Sequence, residues 1–289
     1  MNKTTNISRS SSFWILTAIY VAATIVGWIT YRAATPLLPS YIWGLFAADV
    51  AATIFVWIWG IAFRNVSVYD PYWSVLPPVM LTLLVWGKGP LGIAQWLHLI
   101  AIWLWAIRLT GNWAYTFKGM AFEDWRYTKY REEQKPIIFQ LINFFGLNFM
   151  PTLVVFLAML PGIRILEHGA AANIWSWVGF FVSIGAATIQ LVADTERHRF
   201  SRNHRGEICK VGLWKHGRHP NYFGEISMWW GVWIMSLPCT DLTKDWTLIV
   251  GPIMMTCLFL CISIPLMESR QKKNKPGYEE YKKETRILI

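Results

Sequence analysis

Tyr41–Phe63 reads YIWGLFAADVAATIFVWIWGIAF, twenty-three residues with one ionisable side chain, Asp49. About 20 apolar residues in helical form cross the hydrocarbon core of a bilayer, so this stretch predicts a transmembrane helix. Seven further stretches repeat the pattern: residues 13–31, 73–86, 91–108, 137–160, 174–193, 222–237 and 246–267. Of these, 73–86 is short and holds Pro77 and Pro78, which predicts a kinked, tilted or re-entrant helix. The whole chain is 54% hydrophobic and only 15% charged, against about 25% charged for a soluble domain. Nineteen tryptophans and eleven tyrosines suit the boundary between water and lipid. The expected fold is all-α, a polytopic bundle of seven to eight transmembrane spans.

Charge then sets the expected orientation. With eight spans, twenty-three Lys or Arg fall on one side, counting Lys3 and Arg9 at the amino end, and four on the other (Arg32, Lys88, Arg164, Lys244). Under the positive-inside rule both termini are expected in the cytoplasm, in the inner membrane of a bacterium or the endoplasmic reticulum of a eukaryote. The formal net charge of +10 does not point to nucleic acid, because it sits in short segments between apolar spans rather than on a soluble domain. Four cysteines at 209, 239, 257 and 261 read as buried or idle thiols. Residues 1–12 are polar and 13–31 is too long for a secretory signal, so no cleavable leader is expected. His198, His204, His216, His219 and Cys209 follow no closed-site spacing, and no metal is expected.

The least ordinary stretch is residues 212–225, GLWKHGRHPNYFGE. Pro220 suits the first turn of a helix and holds the preceding residues extended. Free N–H groups and the positive end of the helix dipole at that turn favour an anion, and Arg218 adds a guanidinium fork. Asn221 and Glu225 lie one helical turn apart and share a face. Glu225 stands just inside the membrane boundary, where an unpartnered carboxylate is costly.

These residues resemble the steroid 5-alpha-reductase superfamily, in particular its uncharacterised bacterial branch. The resemblance is strong from Asp194 onward. It extends more thinly to Arg64 through Asp70-Pro-Tyr-Trp, Arg108-Leu-Thr-Gly-Asn-Trp and Glu123-Asp-Trp-Arg-Tyr. It implies an amino-terminal helix pair (1–63) and a reductase-like membrane domain (64–289) whose cytoplasmic loops form a pocket for NADPH. Asn221 and Glu225 match the family's Asn-x-x-Gly-Glu cofactor contacts, and Asp194 and Arg108 match its helix-end aspartate and arginine. Arg197, Arg218, His219 and Tyr222 join them in the implied cofactor site. So do Arg270, Tyr278 and Tyr281, if the tail folds over the nucleotide. The implied reaction is hydride transfer from NADPH to the β-carbon of a lipophilic enone that enters from the bilayer. The chain departs from the family where a Tyr and a Glu polarise the substrate ketone. The Tyr position is Trp105, and an indole cannot deliver a proton at neutral pH. The nearest acid is Asp70, and Tyr72 and Tyr115 are the candidate proton donors.

Two other readings stand beside this one. Isoprenylcysteine and phospholipid methyltransferases also carry Arg-His-Pro-x-Tyr before a helix and an acidic-then-Tyr-x-x-Tyr tail similar to 268–281. The alternative is therefore an S-adenosylmethionine-dependent methyltransferase. Asn221, Glu225, Asp194 and the density of positive charge favour a phosphate-bearing cofactor instead. A non-catalytic lipid-binding protein is the third reading, since polybasic loops also attract anionic membrane lipid. Asp49 and His98, inside apolar spans, are expected as polar contacts between helices.

Overall fold

The computed structural model describes residues 7–169 and 171–289 and is helical, with no strand among the described residues. Lys3, counted above toward the basic side, lies outside the described residues. The helices are α1 (Arg9–Ala34), α2 (Tyr41–Phe63), α3 (Tyr72–Val85), α4 (Ile93–Thr116), α5 (Trp125–Glu133), α6 (Pro136–Leu141), α7 (Met150–His168), α8 (Ile174–Asn203), α9 (Pro220–Ser236), α10 (Val250–Cys257), α11 (Ile264–Asn274) and α12 (Tyr278–Glu284). α6 runs into α7 through a π-helical turn at Ile142–Phe149, and α10 into α11 through another at Leu258–Ser263.

Among the described residues, six helical runs are long and apolar enough to cross a membrane: Arg9–Leu37, Tyr41–Phe63, Ile93–Thr116, Pro136–His168, Ile174–Asn203 and Trp246–Asn274. The protein is thus a polytopic helix bundle. The other two expected spans are shorter, 14 residues in α3 with Pro77 and Pro78 inside it, and 17 in α9. Several helices outrun their expected ends. α4 continues eight residues past Arg108, α7 runs on to His168 and α11 to Asn274, and α8 runs on to Asn203, so the first part of the expected loop at 194–221 is helix. A capping box between Asn173 and Ser176 starts α8, and Ser8 caps α1 through the Ser11 amide at 3.0 Å.

The chain divides into two compact units. One comprises Met1–Val79 and Leu109–Phe156, the other Met80–Arg108 and Leu157–Ile289. In the first, a buried cluster of Leu16, Ile19, Val56, Val68, Tyr69 and Tyr72 joins α1 to α2. A chain of hydroxyls runs through it: Thr152 lies 2.9 Å from Thr53 and 2.7 Å from Tyr69, and donates to the Asn148 carbonyl.

In the second unit α8 lies against α9 along small residues. A Cβ on Gly179 or Gly231 would collide with the backbone of the facing helix. Small residues allow this close approach, which replaces the hydrophobic drive that lipid removes. α7 carries a second notch, where a Cβ on Gly162 would overlap the buried His98 ring. Gly162→Ala is expected to destabilise the detergent-solubilised protein by about 1–3 kcal/mol, the usual cost of overpacking. Adding His98→Ala should recover part of that loss in a thermal melt, because the overlap is with the imidazole.

Candidate functional site

In the second unit three helix faces converge. On α4, Trp105 and Arg108 stand three apart. On α8, Gln190 and Asp194 stand four apart, and on α9 Asn221, Glu225 and Trp229 follow at intervals of four, so each set occupies one face. Glu225 is buried and accepts from Trp105 Nε1 at 3.0 Å to both carboxylate oxygens, from Trp229 Nε1 at 3.0 Å and from Gln190 Nε2 at 2.7 Å. The two indoles meet edge to face, 5.1 Å between centroids. A turn nearer the C-terminal end of α8, Arg108 pairs with Asp194 at 2.6 Å, and Asn221 Nδ2 donates to the other Asp194 oxygen at 3.3 Å.

Four of the sequence-predicted residues, Arg108, Asp194, Asn221 and Glu225, thus belong to one polar cluster. Trp105 fixes a carboxylate. Two buried atoms of the cluster have no hydrogen-bond partner among the described residues: Arg108 Nε, a donor, and Gln190 Oε1, an acceptor.

Beside the cluster lies a narrow cleft. Arg197, Arg218, His219, Asn221, Tyr222, Tyr278 and Tyr281 all line it, together with Trp214, Cys209, Met267, Gln271 and Lys275. Met267, Gln271 and Lys275 are one face of α11 and its C-cap. Arg270 lies one residue off that face, and Gln271 stands on the wall where Arg270 was expected. Arg218, expected as a free anion fork, is buried, with Nε on Glu268 at 2.8 Å and Nη1 on the carbonyls of Lys282 (3.0 Å) and Thr285. Lys282 also reaches Glu268 at 2.8 Å. The backbone follows suit: the Arg218 amide donates to the Arg286 carbonyl at 2.9 Å and the His219 amide to that of Ile287 at 3.1 Å. Tyr281 OH donates to the Trp214 carbonyl at 2.5 Å. The tail after α11 is therefore one wall of the cleft.

His219 stacks flat on Tyr222 at 5.2 Å, and Tyr222 rests on Phe259 of the second π turn. Burial pushes the His219 imidazole down to about 4, against the pull of Glu268 at 3.4 Å. Near neutral pH its contact with Glu268 is thus one of a neutral ring. Burial also raises the Tyr278 phenol to about 12 and carries Tyr281 upward. Neither phenol ionises in the physiological range.

The three residues expected to be catalytic belong to the first unit. Tyr72 is buried, its OH 3.4 Å from Asp49. Tyr115 lies in the last turn of α4, 56% exposed. Asp70 accepts a 2.6 Å bond from Tyr127 OH. Burial lifts the Asp70 carboxyl to about 6, partly offset by the Tyr127 bond and the Arg126 charge. The folded state therefore holds the Asp70 proton more tightly than the unfolded chain does. Its contribution to stability is present below the unfolded value, near 3.9, and is lost as pH rises toward about 6. Asp70→Asn should remove that fall, so the difference in melting temperature between variant and wild type should grow between pH 4 and pH 7. A constant difference would count against the buried carboxyl.

Sequence reasoning passed over Gln190, Trp229 and Lys275 as site residues and took Glu268 only as the acidic residue that opens the tail motif. The first two had a signal, since each lies four residues from a named acid on the same helix face. Glu268 and Lys275 gained their places from long-range folding.

The profile of the family described as "Protein of unknown function (DUF1295)" matches residues 56–285. The chain is also similar to an uncharacterized protein of the fission yeast Schizosaccharomyces pombe, C594.04c, with 24% identity over 222 residues. That alignment covers 66% of this chain and 64% of the yeast protein. No solved structure matches the chain.

Proposed function

The chain belongs to the DUF1295 family, and from that premise we propose that it is a membrane-embedded NADPH-dependent reductase of a C=C bond in a lipophilic enone. The observation that carries this reading is the joined cluster of Trp105, Arg108, Gln190, Asp194, Asn221 and Glu225 beside a basic, aromatic cleft. The motif resemblance to steroid 5-alpha-reductases supplies the reaction class. The residues fit the cofactor. Arg108 Nε and Gln190 Oε1 offer a buried donor and a buried acceptor, the pair that a carboxamide satisfies. Arg197 and Lys275 offer charge to phosphate, and the Tyr222, Tyr278 and Trp214 rings offer apolar walls.

When bound, NADPH supplies the hydride. The chain's own work is to orient. The Arg108–Asp194–Asn221 chain fixes the rim of the site, and the two indoles and Gln190 hold Glu225 in one rotamer. Burial of the cluster keeps water from it. Trp105 is committed to Glu225, so the proton for the α-carbon has to come from another group. Asp70, Tyr72 and Tyr115, the candidates offered by the sequence, lie in the first unit, and substituting each in turn tests whether it serves. The cleft faces the cytoplasm in this reading, and an apolar substrate arrives through the bilayer.

A second reading has its own observation. Glu268 ties Arg218 and His219 to the tail that carries Tyr278 and Tyr281. Those two segments are the ones shared with membrane methyltransferases, so S-adenosylmethionine belongs in the same experiment. Purified protein titrated with NADPH, NADH and S-adenosylmethionine should be stabilised saturably by NADPH in a thermal melt. Stabilisation by S-adenosylmethionine alone would replace the first reading with the second.

A further inference from the structure

The first unit holds a recess unrelated to the cleft. Ile54 and Trp57 of α2 form one wall, and Pro136, Ile137, Gln140, Leu141, Phe144 and Phe145 form the other. It has a volume of about 510 Å³ and is open along one side. Both walls belong to runs that qualify as membrane spans, so the open side faces hydrocarbon. The two walls run level, because Trp57 meets Phe144 at 5.0 Å between ring centroids. The wider π turn at Ile142–Phe149 shapes the second wall, and such turns are frequent where helices serve a ligand.

Two basic residues flank the walls. Arg64 caps α2 seven residues, about 10 Å, beyond Trp57, and Lys135 stands directly before Pro136, where the lining of the second wall begins. Both are exposed, and neither enters an ion pair among the described residues. In the floor, Trp57 Nε1 is buried with no hydrogen-bond partner among the described residues. A buried donor of this kind calls for an acceptor. The site thus offers an apolar trough, a lone N–H donor below the interface and two cations above it.

We propose that this recess binds an anionic glycerophospholipid, with one acyl chain in the trough, an ester carbonyl at Trp57 Nε1 and the headgroup phosphate against Arg64 and Lys135. The fit is chemical at each level. Hydrocarbon fills a wall of rings and aliphatic chains, an ester offers only acceptors to an indole, and each Lys or Arg near the surface draws an anionic lipid. This site stands independently of any cofactor bound in the second unit.

The test uses the full chain in phosphatidylcholine vesicles doped with a phosphatidylglycerol that carries a photoactivatable diazirine on one acyl chain. After illumination and digestion, label should concentrate on the peptides holding Ile54, Trp57 and residues 141–145. Excess unlabelled phosphatidylglycerol should compete roughly thirtyfold better than phosphatidylcholine, as two interfacial cations predict. Leu141→Trp should fill the trough and remove the label there, while Arg64→Gln with Lys135→Gln should abolish the preference between competitors and leave the fold intact. Label spread evenly over the lipid-facing helices would overturn the proposal. So would equal competition by phosphatidylcholine against the unmodified chain.

Discussion

Glu225→Ala is expected to abolish stabilisation by NADPH and to weaken the protein even without cofactor. Trp105, Trp229 and Gln190 all donate to this carboxylate, and removing it leaves three buried donors without an acceptor. Each such group costs about 1–3 kcal/mol, so the loss is a large fraction of the stability of an ordinary domain. Glu225→Gln keeps the shape and separates the two effects. One acceptor oxygen becomes an NH2 that faces an indole N–H or the Gln190 amide, so part of the structural loss should remain. Affinity for NADPH should fall with it. Thermal melts with and without cofactor read both quantities. If Glu225→Gln melts like wild type and still binds NADPH, the carboxylate neither organises the cluster nor serves the cofactor.

Arg218→Ala should have the second large effect, through a different route. The guanidinium is buried and joins Glu268 to two carbonyls of the tail. Breaking a buried pair from one side costs about 3–5 kcal/mol, because the partner charge stays behind without compensation. Lys282 still reaches Glu268, which places the expected loss toward the lower end. The tail should detach locally before the bundle unfolds. Limited proteolysis should therefore cut within residues 275–289 much faster in Arg218→Ala than in wild type, while the melting of the spans shifts less. Arg218→Lys keeps the charge but cannot donate to Glu268 and two carbonyls in the same planar geometry, and is expected to rescue only in part.

How legible this was in the chain depends on range. Apolar runs such as Tyr41–Phe63 declare their helices directly, because lipid demands length and an absence of charge. Ends are harder. α8 passes Asp194 without a break because the charged run that follows, TERHRFSRN, suits a helix as well as a loop. Helical periodicity would have led from Asp194 to Gln190 and from Glu225 to Trp229. Periodicity could not lead from Arg218 to Thr285, since a contact 67 residues apart leaves no local trace. The same limit explains Arg270 and Gln271. The motif suggested an arginine over the nucleotide, whereas the packing of α11 turned the neighbouring face toward the cleft.

The tie between Arg218 and the tail also has a meaning in time. Its acceptors, the carbonyls of Lys282 and Thr285, lie 64 and 67 residues further along the chain. At a synthesis rate of 5–20 residues per second, the ribosome delivers them roughly 3–13 s after Arg218 itself. For most of that interval α9 has been made while the wall they complete is absent. Cleft closure is thereby a late event in the birth of the protein, and a nascent chain stalled after α11 would carry α1 to α11 but not its finished site.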